Sequence, residues 1–563
     1  MNARYSFLII IFWTFGLLIL GRLFYWQVVK ADELQEQASR QQSTWLEIPS
    51  PRGEILAQDG YPLVTNEDRY LLYVNPRQLA SKSTVIDQIA NWLSASDSAR
   101  LELSRSLQTD LLWYVIAHQV SFSEKTALQK LDIPGLGFEP EPGRVYPEGS
   151  SSAHITGFVG KNESGSFLGY FGLEGYYDRE LSGHPGRFYQ EHDAFNRPIL
   201  IGSQFRQSPR PGHSLMTSID RTVQFTISQA LSEGISRYQA EGGTITVMDP
   251  KTGLISGMVA HPGYDPSTYN DFTQDLYKNP VISDSYEPGS IFKVLVMASA
   301  LDAKVVKADT ICSICTGPVI IGDAAIRSWN DKYYPNSTAR DIILHSDNVG
   351  MVFVSRLLGK SRTLDYIRRF GIGSKTGIDL QEEDVTPMRP NDKWYEIDWA
   401  TTSFGQGIAV TPMQMVRAVG AIANGGKLVT PRVVTKIQGD DINKIIPLDP
   451  PANIISPESA ALITQMMVNG VNNGEVRYYK PKGYLIAGKT GTAQIPISGH
   501  YDPDKVIASF IGFAPADNPK FVMLVTLNNP KPSPWGSTTA APLWMSVAKK
   551  LFAYYKIPSS IHN

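Results

Sequence analysis

The sequence predicts an α+β protein of several domains behind one N-terminal transmembrane helix. A long apolar run opens the chain, and short strand-like runs alternate with amphipathic helical stretches after it. The 563 residues suggest about two to four domains. With 42% apolar and 10% aromatic residues, the composition is that of a globular protein and excludes a disordered or collagen-like chain.

Charge and cysteine content exclude several classes of function. Lys and Arg total 52 and Asp and Glu total 54, so the chain has no excess positive charge to neutralise a phosphate backbone. We therefore expect no nucleic-acid partner. Two cysteines are too few for a disulfide scaffold or a zinc finger, and the nine histidines show no metal-ligand spacing. We expect neither a metal ion nor an organic cofactor.

The apolar run covers residues 5–21, YSFLIIIFWTFGLLILG, between Arg4 and Arg22. At about 1.5 Å per residue it nearly crosses a hydrocarbon core of roughly 30 Å, and aromatic residues suited to the interface follow it. No small-x-small cleavage site comes next, which disfavours a cleaved signal peptide. The sequence predicts a transmembrane anchor over residues 5–26, preceded by a short tail over residues 1–4. Basic residues flank both ends, so charge alone leaves the orientation open.

Residues 27–214 predict a β-rich, elongated N-terminal domain. Strand-like runs broken by turn residues include PRGEILAQDGYPLV at 51–64 and PGRVYPEGSSSAHITGFVG at 142–160, with a helical patch near 85–130. The region holds no acid–base motif. We therefore expect a pedestal that docks other membrane proteins.

A second domain is predicted over residues 215–563, after a loop-like stretch at 196–214. The segment IDRTVQFTISQALSEGISRYQ has the periodicity of an amphipathic helix. The segment GTITVMDPKTGLISGMVAHPG, at 243–263, predicts two apolar strands joined by a turn at DPKTG.

A serine and a lysine share one face of a predicted buried helix in this second domain. The segment EPGSIFKVLVMASALD, at 287–302, is apolar nearly all round after Pro288 and Gly289. Ser290 and Lys293 stand three residues apart and therefore on one face. Because burial disfavours the charged ammonium, such a lysine is biased toward the neutral amine that takes a proton from serine. N–H groups of the first turn favour negative charge developing at the serine.

Two more motifs follow in order and strengthen this signal. S-x-x-K alone is weak, since Ser546 and Lys549 also satisfy it in what is predicted to be an ordinary C-terminal helix. After Ser290, the two motifs supply seven candidate residues: Ser346, Asp347 and Asn348 in HSDNVG, and Lys489, Thr490, Gly491 and Thr492 in AGKTGTAQ. The ordered set S-x-x-K, S-D-N and K-T-G is the signature of penicillin-binding proteins and class A β-lactamases.

The C-terminal half resembles the transpeptidase domain of a class B penicillin-binding protein, and the resemblance covers nearly the whole chain. Other family-like stretches are RLFYWQVV, PRGEI, RVYPEG, GLEGYYDREL, SFGQGIAVTPMQM and GFAPAD. The resemblance implies a serine β-lactamase-like domain with an antiparallel sheet flanked by helices, and a dimerisation-like pedestal. In the pedestal, Arg52, Arg144 and Glu174 resemble positions that hold that region together. It further implies a bacterial inner-membrane protein whose body faces the periplasm and whose residues 1–4 form a cytoplasmic tail.

The resemblance also implies chemical roles for the first two motifs. Ser290 is the expected acylated nucleophile and Lys293 its general base. Ser346 is expected to relay a proton toward the leaving amine, and Asn348 to bind the amide backbone of the substrate. Asn348 as the third residue of its motif resembles the septal, cell-division members, whereas elongation relatives often carry Asp there.

The third motif is expected to hold the substrate. Lys489 and the hydroxyls of Thr490 and Thr492 would bind the substrate carboxylate. Backbone N–H groups of Ser290 and Thr492 would form the oxyanion hole. Gly491 is expected to clear space for a peptide that lies against the edge of the predicted strand.

Three other patterns are predicted to be structural. Residues 483–490 fit the P-loop pattern, but the intervening YLIA is strand-like and no helix is predicted to begin at Lys489. Another K-T-G, at residues 375–377, lies in a glycine-dense turn and predicts a surface loop. Cys312 and Cys315 form C-x-x-C without a βαβ context, so a redox role is disfavoured, while a disulfide and two free thiols both stay open.

The resemblance implies a peptidoglycan D,D-transpeptidase that is acylated by a stem peptide ending in D-Ala-D-Ala. The partners that it implies are stem peptides, β-lactam inhibitors, the membrane, a polytopic glycosyltransferase and other cell-division proteins. No E-x-x-x-N motif follows S-D-N, which disfavours a class A β-lactamase. A D,D-carboxypeptidase activity, an elongation-specific transpeptidase and a non-enzymatic β-lactam receptor stay open as alternatives.

Overall fold

The computed structural model describes residues 3–34, 43–48, 50–79, 82–93, 96–108, 113–163, 165–191, 204–497 and 500–559. The chain divides into two compact units. The first unit consists of Met1–Pro51, Arg69–Pro142 and Gly183–Gly212, and the second of Arg52–Asp68, Gly143–Ser182 and His213–Asn563. Two segments of the predicted N-terminal domain therefore belong to the same compact unit as the predicted catalytic domain.

The N-terminal helix of the first unit is long and apolar enough to cross a membrane. It runs over Ala3–Phe24 and continues as a π-helical turn over Tyr25–Val29. The span Arg4–Val29 has 26 residues with a mean hydropathy of 2.3, which corresponds to roughly 39 Å of helix. Near its end, the guanidinium of Arg22 stacks over two aromatic rings. The predicted helix is confirmed, and its length and composition fit a membrane anchor.

The rest of the first unit, as far as the structure describes it, combines strands of two sheets with three α-helices. The strands Ser43–Ile48, Gly186–Glu191 and Gln204–Gln207 form an antiparallel sheet. The second half of the long strand Pro62–Val74 pairs with Tyr114–Val120 and with Leu136–Val145. The helices are Lys82–Trp92, Asp97–Leu107 and Phe122–Gln129. They confirm the helical patch predicted near 85–130, although the pattern missed the strand Tyr114–Val120 within it.

In the second unit, a buried carboxylate joins the segments around residues 52, 144 and 174. Glu174 is fully buried, and its two carboxylate oxygens accept hydrogen bonds from Arg52 Nε at 2.6 Å and Arg144 Nε at 2.7 Å. Arg52 Nη2 also donates to Asp178 at 2.7 Å. Removing one partner of such a buried charge pair typically costs about 3 to 5 kcal/mol. The structural role predicted for Arg52, Arg144 and Glu174 is confirmed.

A five-stranded antiparallel sheet forms the centre of the second unit. Its strands, in spatial order, are Ile255–His261, Gly242–Met248, Phe521–Asn528, His500–Ala514 and Ala487–Ile497. The first two form the predicted hairpin. The strand Ala487–Ile497 pairs with one neighbour in this sheet, so we name it the edge strand.

Helices cover both faces of this sheet. Side chains of Phe521–Asn528 alternate between two cores, with Val522 and Leu524 in one and Met523 and Val525 in the other. The long helices of the unit are Arg221–Tyr238, Lys293–Asp302, Asn348–Leu358, Lys360–Arg369, Pro412–Ala423, Pro457–Asn473 and Ala540–Tyr554. The predicted α+β fold, with an antiparallel sheet flanked by helices, is confirmed.

Shorter elements complete the second unit. Its remaining helices are Ala153–Thr156, Gly172–Tyr176, Asp178–Leu181, Pro280–Ser283, Ala339–His345 and Glu396–Thr402. Its remaining strands are Ile55–Leu56, Phe158–Lys161, Phe167–Tyr170, Ser214–Thr217, Val319–Ile321, Ala324–Ile326, Lys427–Leu428, Val434–Gln438, Asn443–Ile445 and Ala452–Asn453.

Candidate active site

Ser290 lies in a tight turn that leads into a buried helix. Gly289–Phe292 form a 3₁₀ turn, and the helix Lys293–Asp302 continues from it. Gly289 has a φ of +57°, and a Cβ at this position would lie 2.9 Å from the carbonyl oxygen of Thr492 on the edge strand. Glycine is therefore needed here for both backbone conformation and close approach. The close approach brings Ser290 beside the third motif.

Lys293 is entirely buried and hydrogen-bonded to the second motif. Its Nζ donates to the backbone oxygen of Ser346 at 2.5 Å, to Asn348 Oδ1 at 2.7 Å and to Ser346 Oγ at 3.2 Å. Burial lowers the pKa of Lys293 well below its usual value, and the nearby charge of Lys489 lowers it further, while Asp347 opposes both. The neutral amine is thereby favoured, as the sequence predicted.

The second motif lies where one helix ends and the next begins. The helix Ala339–His345 is terminated by Ser346, whose left-handed conformation (φ +55°) turns the chain. Asp347 then caps the helix Asn348–Leu358 by accepting the N–H of Val349 at 3.0 Å. This junction directs the side chains of Ser346 and Asn348 toward Lys293. Asn348 also donates to the backbone oxygen of Arg327 at 3.1 Å.

The third motif lies on the edge strand. Lys489 is buried, and its Nζ donates to Ser346 Oγ at 2.9 Å and to Thr490 Oγ1 at 3.3 Å. Burial lowers the pKa of Lys489 to about 8, and the charge of Glu475 opposes this shift. Ser346 Oγ therefore lies within hydrogen-bond distance of two lysines. Thr492 Oγ1 accepts the N–H of Gly536 at 3.0 Å.

Gly491 is required for a different reason from the predicted one. A Cβ on Gly491 would lie 2.3 Å from Ser509 Oγ, 2.9 Å from a methyl carbon of Ile291 and 3.1 Å from the carbonyl oxygen of Pro288. These atoms belong to the neighbouring strand and to the turn that carries Ser290. The missing side chain thus lets the edge strand pack against that turn, whereas the sequence argument assigned the space to a bound peptide.

A cavity of about 340 Å³ brings the motifs together. Six of the predicted site residues line it: Ser290, Ser346, Lys489, Thr490, Gly491 and Thr492. Lys293 and Asn348 do not line this cavity; Lys293 Nζ donates to Ser346 Oγ, and Asn348 Oδ1 accepts a hydrogen bond from Lys293 Nζ. Among the hydrogen bonds of the described residues, none joins Lys293 Nζ to Ser290.

Sequence reasoning missed an aromatic pair at this cavity. Trp329 and Trp535 both line it and pack edge to face with ring centroids 5.1 Å apart. Trp329 Nε1 donates to the backbone oxygen of His345 at 3.1 Å. Both rings are partly exposed. Their sequence neighbourhoods carry no catalytic motif, so only the fold could identify them.

A second cavity, of about 470 Å³, lies further along the same strand. It is lined by Ala493, Gln494 and Ile495 of the edge strand and by residues just before the 3₁₀ turn, including Tyr286 and Glu287. The edge strand therefore contributes to both cavities in succession. No sequence pattern indicated this second cavity.

The other patterns are structural. Ser546 and Lys549 are exposed on the helix Ala540–Tyr554, as predicted for an ordinary helix. Residues 375–377 lie in a loop, where Thr376 is buried and donates to Glu383. The residue that would be the P-loop lysine, Lys489, lies within a strand, which excludes a phosphate loop there.

The two cysteines form a disulfide. Cys312 and Cys315 are both buried in the core of the second unit. Of the two alternatives left open by the sequence, the structure therefore has the disulfide.

Comparison with known proteins identifies the family. Residues 243–553 match the family described as penicillin binding protein transpeptidase domain, and residues 47–217 match the penicillin-binding protein dimerisation domain. The chain belongs to the class B penicillin-binding proteins. It is accordingly a serine-type peptidoglycan D,D-transpeptidase that binds β-lactams, and its apolar N-terminal helix makes it a membrane-anchored member of the family.

Relatives match this penicillin-binding protein over nearly its full length. "Stage V sporulation protein D" of Bacillus subtilis is 32% identical over 532 residues, covering 94% of this chain and 82% of the relative. "Peptidoglycan D,D-transpeptidase FtsI" of Escherichia coli is 28% identical over 570 residues, covering 95% and 90%. The fold is similar to that of a Bifidobacterium adolescentis peptidoglycan synthetase, with a TM-score of 0.73 at 24% identity over 92% and 98% of the two chains.

Proposed function

We propose that Ser290 is the acylated nucleophile of this transpeptidase and that Lys293 is its general base. The observation that carries the proposal is the fully buried Lys293 Nζ, whose hydrogen bonds reach Ser346 at the cavity that Ser290 lines. A buried amine of lowered pKa can accept a proton near neutral pH. Guanidinium or an exposed ammonium would not serve in this way.

The proposed reaction has two steps: formation of an acyl-enzyme and attack on it by an amine. Ser290 Oγ attacks the carbonyl carbon of the penultimate D-Ala, and its proton passes to Lys293 Nζ. The peptide bond to the terminal D-Ala breaks, and the leaving nitrogen receives a proton through Ser346 Oγ, which lies within 3.2 Å of Lys293 Nζ. An amine of a neighbouring stem peptide then attacks the ester carbonyl. That amine loses a proton, a new peptide bond forms, and Ser290 regains its hydroxyl.

The edge strand holds the donor peptide in this proposal. Lys489, Thr490 and Thr492 bind the terminal carboxylate by charge-assisted hydrogen bonds, and Asn348 binds the amide backbone. The N–H groups of Ser290 and Thr492 stabilise the oxyanion, an effect of about 3 to 4 kcal/mol per donor in other enzymes. The free edge of the strand offers backbone groups to an added peptide. The rest of the stem peptide extends toward the second cavity at Gln494 and Ile495, which continues along the strand.

We further propose that the protein acts in septal cell-wall synthesis with its body in the periplasm. The likeness to proteins named FtsI and the Asn348 of the second motif support the septal role. The partners in this proposal are a polytopic glycosyltransferase and other cell-division proteins, docked on an N-terminal pedestal that spans residues 27–214. A role in cell-wall elongation is the first alternative. A role in sporulation is the second, suggested by the B. subtilis relative named for stage V sporulation.

Intact-protein mass spectrometry with benzylpenicillin tests the assignment of Ser290. The full-length protein in detergent should gain one penicilloyl adduct that persists for many minutes, and Ser290→Ala should gain none. Ser546→Ala, the matched substitution in the other S-x-x-K, should acylate as the wild type does. Equal loss in both variants would overturn the assignment, and rapid drug hydrolysis without an adduct would indicate a deacylating base.

Two further measurements separate the alternatives. Incubation with a D-Ala-D-Ala stem peptide, with and without an acceptor amine, distinguishes a transpeptidase, which needs the amine for product, from a carboxypeptidase, which does not. A fluorescent fusion imaged in dividing cells should concentrate at midcell. Signal spread along the lateral wall would support a role in elongation, and signal confined to sporulating cells would support a role in sporulation.

A further inference from the structure

Asp347 is a buried carboxylate beside the catalytic groups, and the proposed mechanism does not use it. The residue is 1% exposed. Its Oδ1 accepts the N–H of Val349 and caps the helix Asn348–Leu358. Its Oδ2 is buried and has no hydrogen-bond partner among the described residues. A buried carboxylate oxygen without a partner is costly, so a compensating interaction is needed.

Lys293 supplies the opposite charge when it takes up a proton. Its Nζ is hydrogen-bonded to the residues on both sides of Asp347, namely Ser346 and Asn348. All three hydrogen-bond acceptors of Lys293 are neutral, so none of them balances its charge. The Asp347 carboxylate is the negative group that attracts the Lys293 ammonium electrostatically, and Lys293 is the largest attraction acting on Asp347.

Other charged groups also act on Lys293 and Asp347 or on their neighbour Lys489. Lys489, on the edge strand, repels the ammonium of Lys293, and both lysines are hydrogen-bonded to Ser346 Oγ. The charge of His345, on the preceding helix, lowers the pKa of Asp347, and the charge of Glu475 raises the pKa of Lys489. Burial and Lys489 therefore disfavour a proton on Lys293, and Asp347 favours it.

We propose that Asp347 is a positioning residue for the general base: its carboxylate stabilises the proton that Lys293 Nζ takes from Ser290, so that this buried amine is a stronger base than its surroundings alone would allow. The inference rests on the proposed role of Lys293. During acylation the proton moves from Ser290 Oγ to Lys293 Nζ beside the Asp347 carboxylate, and it leaves through Ser346 when the amine departs. Asp347 acts in this proposal as the carboxylate, and it does not line the cavity that contains Ser290.

Asp347→Asn separates this electrostatic role from the helix cap. Asparagine retains a side-chain oxygen and is as good an N-cap as aspartate, but it carries no charge. The rate of acylation by benzylpenicillin would be followed by intact mass between pH 5 and 10 on full-length protein in detergent. The wild-type rate should rise as Lys293 loses its proton and fall as Lys489 loses its own.

For Asp347→Asn, the expected result is a shift of the rising limb of the curve of acylation rate against pH. Without the carboxylate, the pKa of Lys293 falls further, so the neutral amine is available at lower pH. The rising limb should move to lower pH by about one unit. The plateau rate should also fall, because the amine is a weaker base. The falling limb should stay in place, since Asp347 is not among the groups that shift Lys489.

Matched variants make the outcome decisive. Asp220 caps the helix Arg221–Tyr238 by accepting two backbone N–H groups, and it does not line the cavity that contains Ser290. Asp220→Asn removes the same charge from a cap and should leave both limbs unchanged. Asp347→Ser, a second neutral cap, should reproduce the Asn profile and serves if the Asn variant fails to fold.

The outcomes distinguish this inference from the proposed function. A rising limb that stays within about 0.2 pH unit of wild type in both neutral variants would show that Asp347 acts only as a helix cap, and would overturn the inference while Ser290 and Lys293 keep their roles. Acylation of Ser290→Ala, or a wild-type rate without a rising limb, would instead contradict the proposed function.

Discussion

The chain contains S-x-x-K twice, and the two copies differ in everything except their spacing. Ser290 lies in a 3₁₀ turn at a cavity, and Lys293 is fully buried with three hydrogen bonds. Ser546 and Lys549 are exposed on a C-terminal helix. The spacing sets only which residues share a helix face. Burial beside the second motif is what lowers the pKa of Lys293, as its proposed role of general base requires.

Of the K-T-G sequences in the chain, those at residues 489–491 and 375–377 differ in the same way. Lys489 lies on the edge strand, is buried and contacts Ser346. Lys375 is exposed in a loop, and the threonine that follows it is hydrogen-bonded to Glu383. A motif is thus a signal of function only where the fold places it beside its partners. Paired substitutions in the two copies test this conclusion.

The largest expected effect comes from Lys293→Arg set against Lys549→Arg. Arginine keeps the positive charge but stays protonated, so it cannot accept the proton of Ser290. Acylation by a fluorescent penicillin should slow by at least about a hundredfold, the usual contribution of a general base. Lys549→Arg should acylate at the wild-type rate. Lys293→Arg acylating within threefold of wild type, with an unchanged melting temperature, would show that Lys293 is not the base.

Next in size is Lys489→Ala set against Lys375→Ala. Losing the ammonium removes charge-assisted hydrogen bonds of about 1.5 to 3 kcal/mol to the substrate carboxylate. The second-order rate constant of acylation should fall by about ten- to hundredfold. Lys375→Ala should change it by less than twofold. A comparable loss in both variants would mean that surface charge, and not the cavity, governs the rate.

A smaller effect is expected for Gly491→Ala set against Gly377→Ala. The new Cβ at 491 would collide with Ser509 and Ile291, and such overpacking costs about 1 to 3 kcal/mol. Because Ile291 adjoins Ser290, acylation should slow as well. At Gly377 the nearest atom is 3.5 Å away, but φ is +80°, so the variant should lose stability by backbone strain alone. Thermal unfolding and acylation, measured together, separate the two cases. Unimpaired acylation in Gly491→Ala would argue against tight packing of the edge strand on the turn.

The smallest expected effect is that of Glu475→Gln on the falling limb of the acylation profile. The pKa of Lys489 is about 8, and Glu475 raises it. Without that charge the ammonium should be lost at lower pH, so the falling limb should move down by less than one pH unit. Glu475 is exposed, so the shift should shrink at high salt. Glu458→Gln, on the helix Pro457–Asn473, is the matched control and should leave the limb unchanged.

Patterned segments were predicted well, and contacts between distant segments were not. The anchor helix, the helix Arg221–Tyr238 and the hairpin of Gly242–Met248 with Ile255–His261 follow from local periodicity. The strand Tyr114–Val120 was missed because it lies among helices and is mostly half-buried, without clear alternation. The aromatic pair Trp329 and Trp535 was missed because the two rings are about 200 residues apart in sequence and meet only in the fold.

Whereas the antiparallel sheet between helices was implied by the family resemblance, the sequence by itself determined the apolar helix that fits a membrane anchor and the residues of the three motifs in their order. It could do so because apolar runs, periodicity and local spacing are properties of neighbouring residues. The tertiary structure decided the pairing of Cys312 with Cys315, the close packing around Gly491 and the hydrogen bonds that join Lys293 to the second motif. Each depends on burial and on distances between atoms, and only the packed chain brings those atoms together.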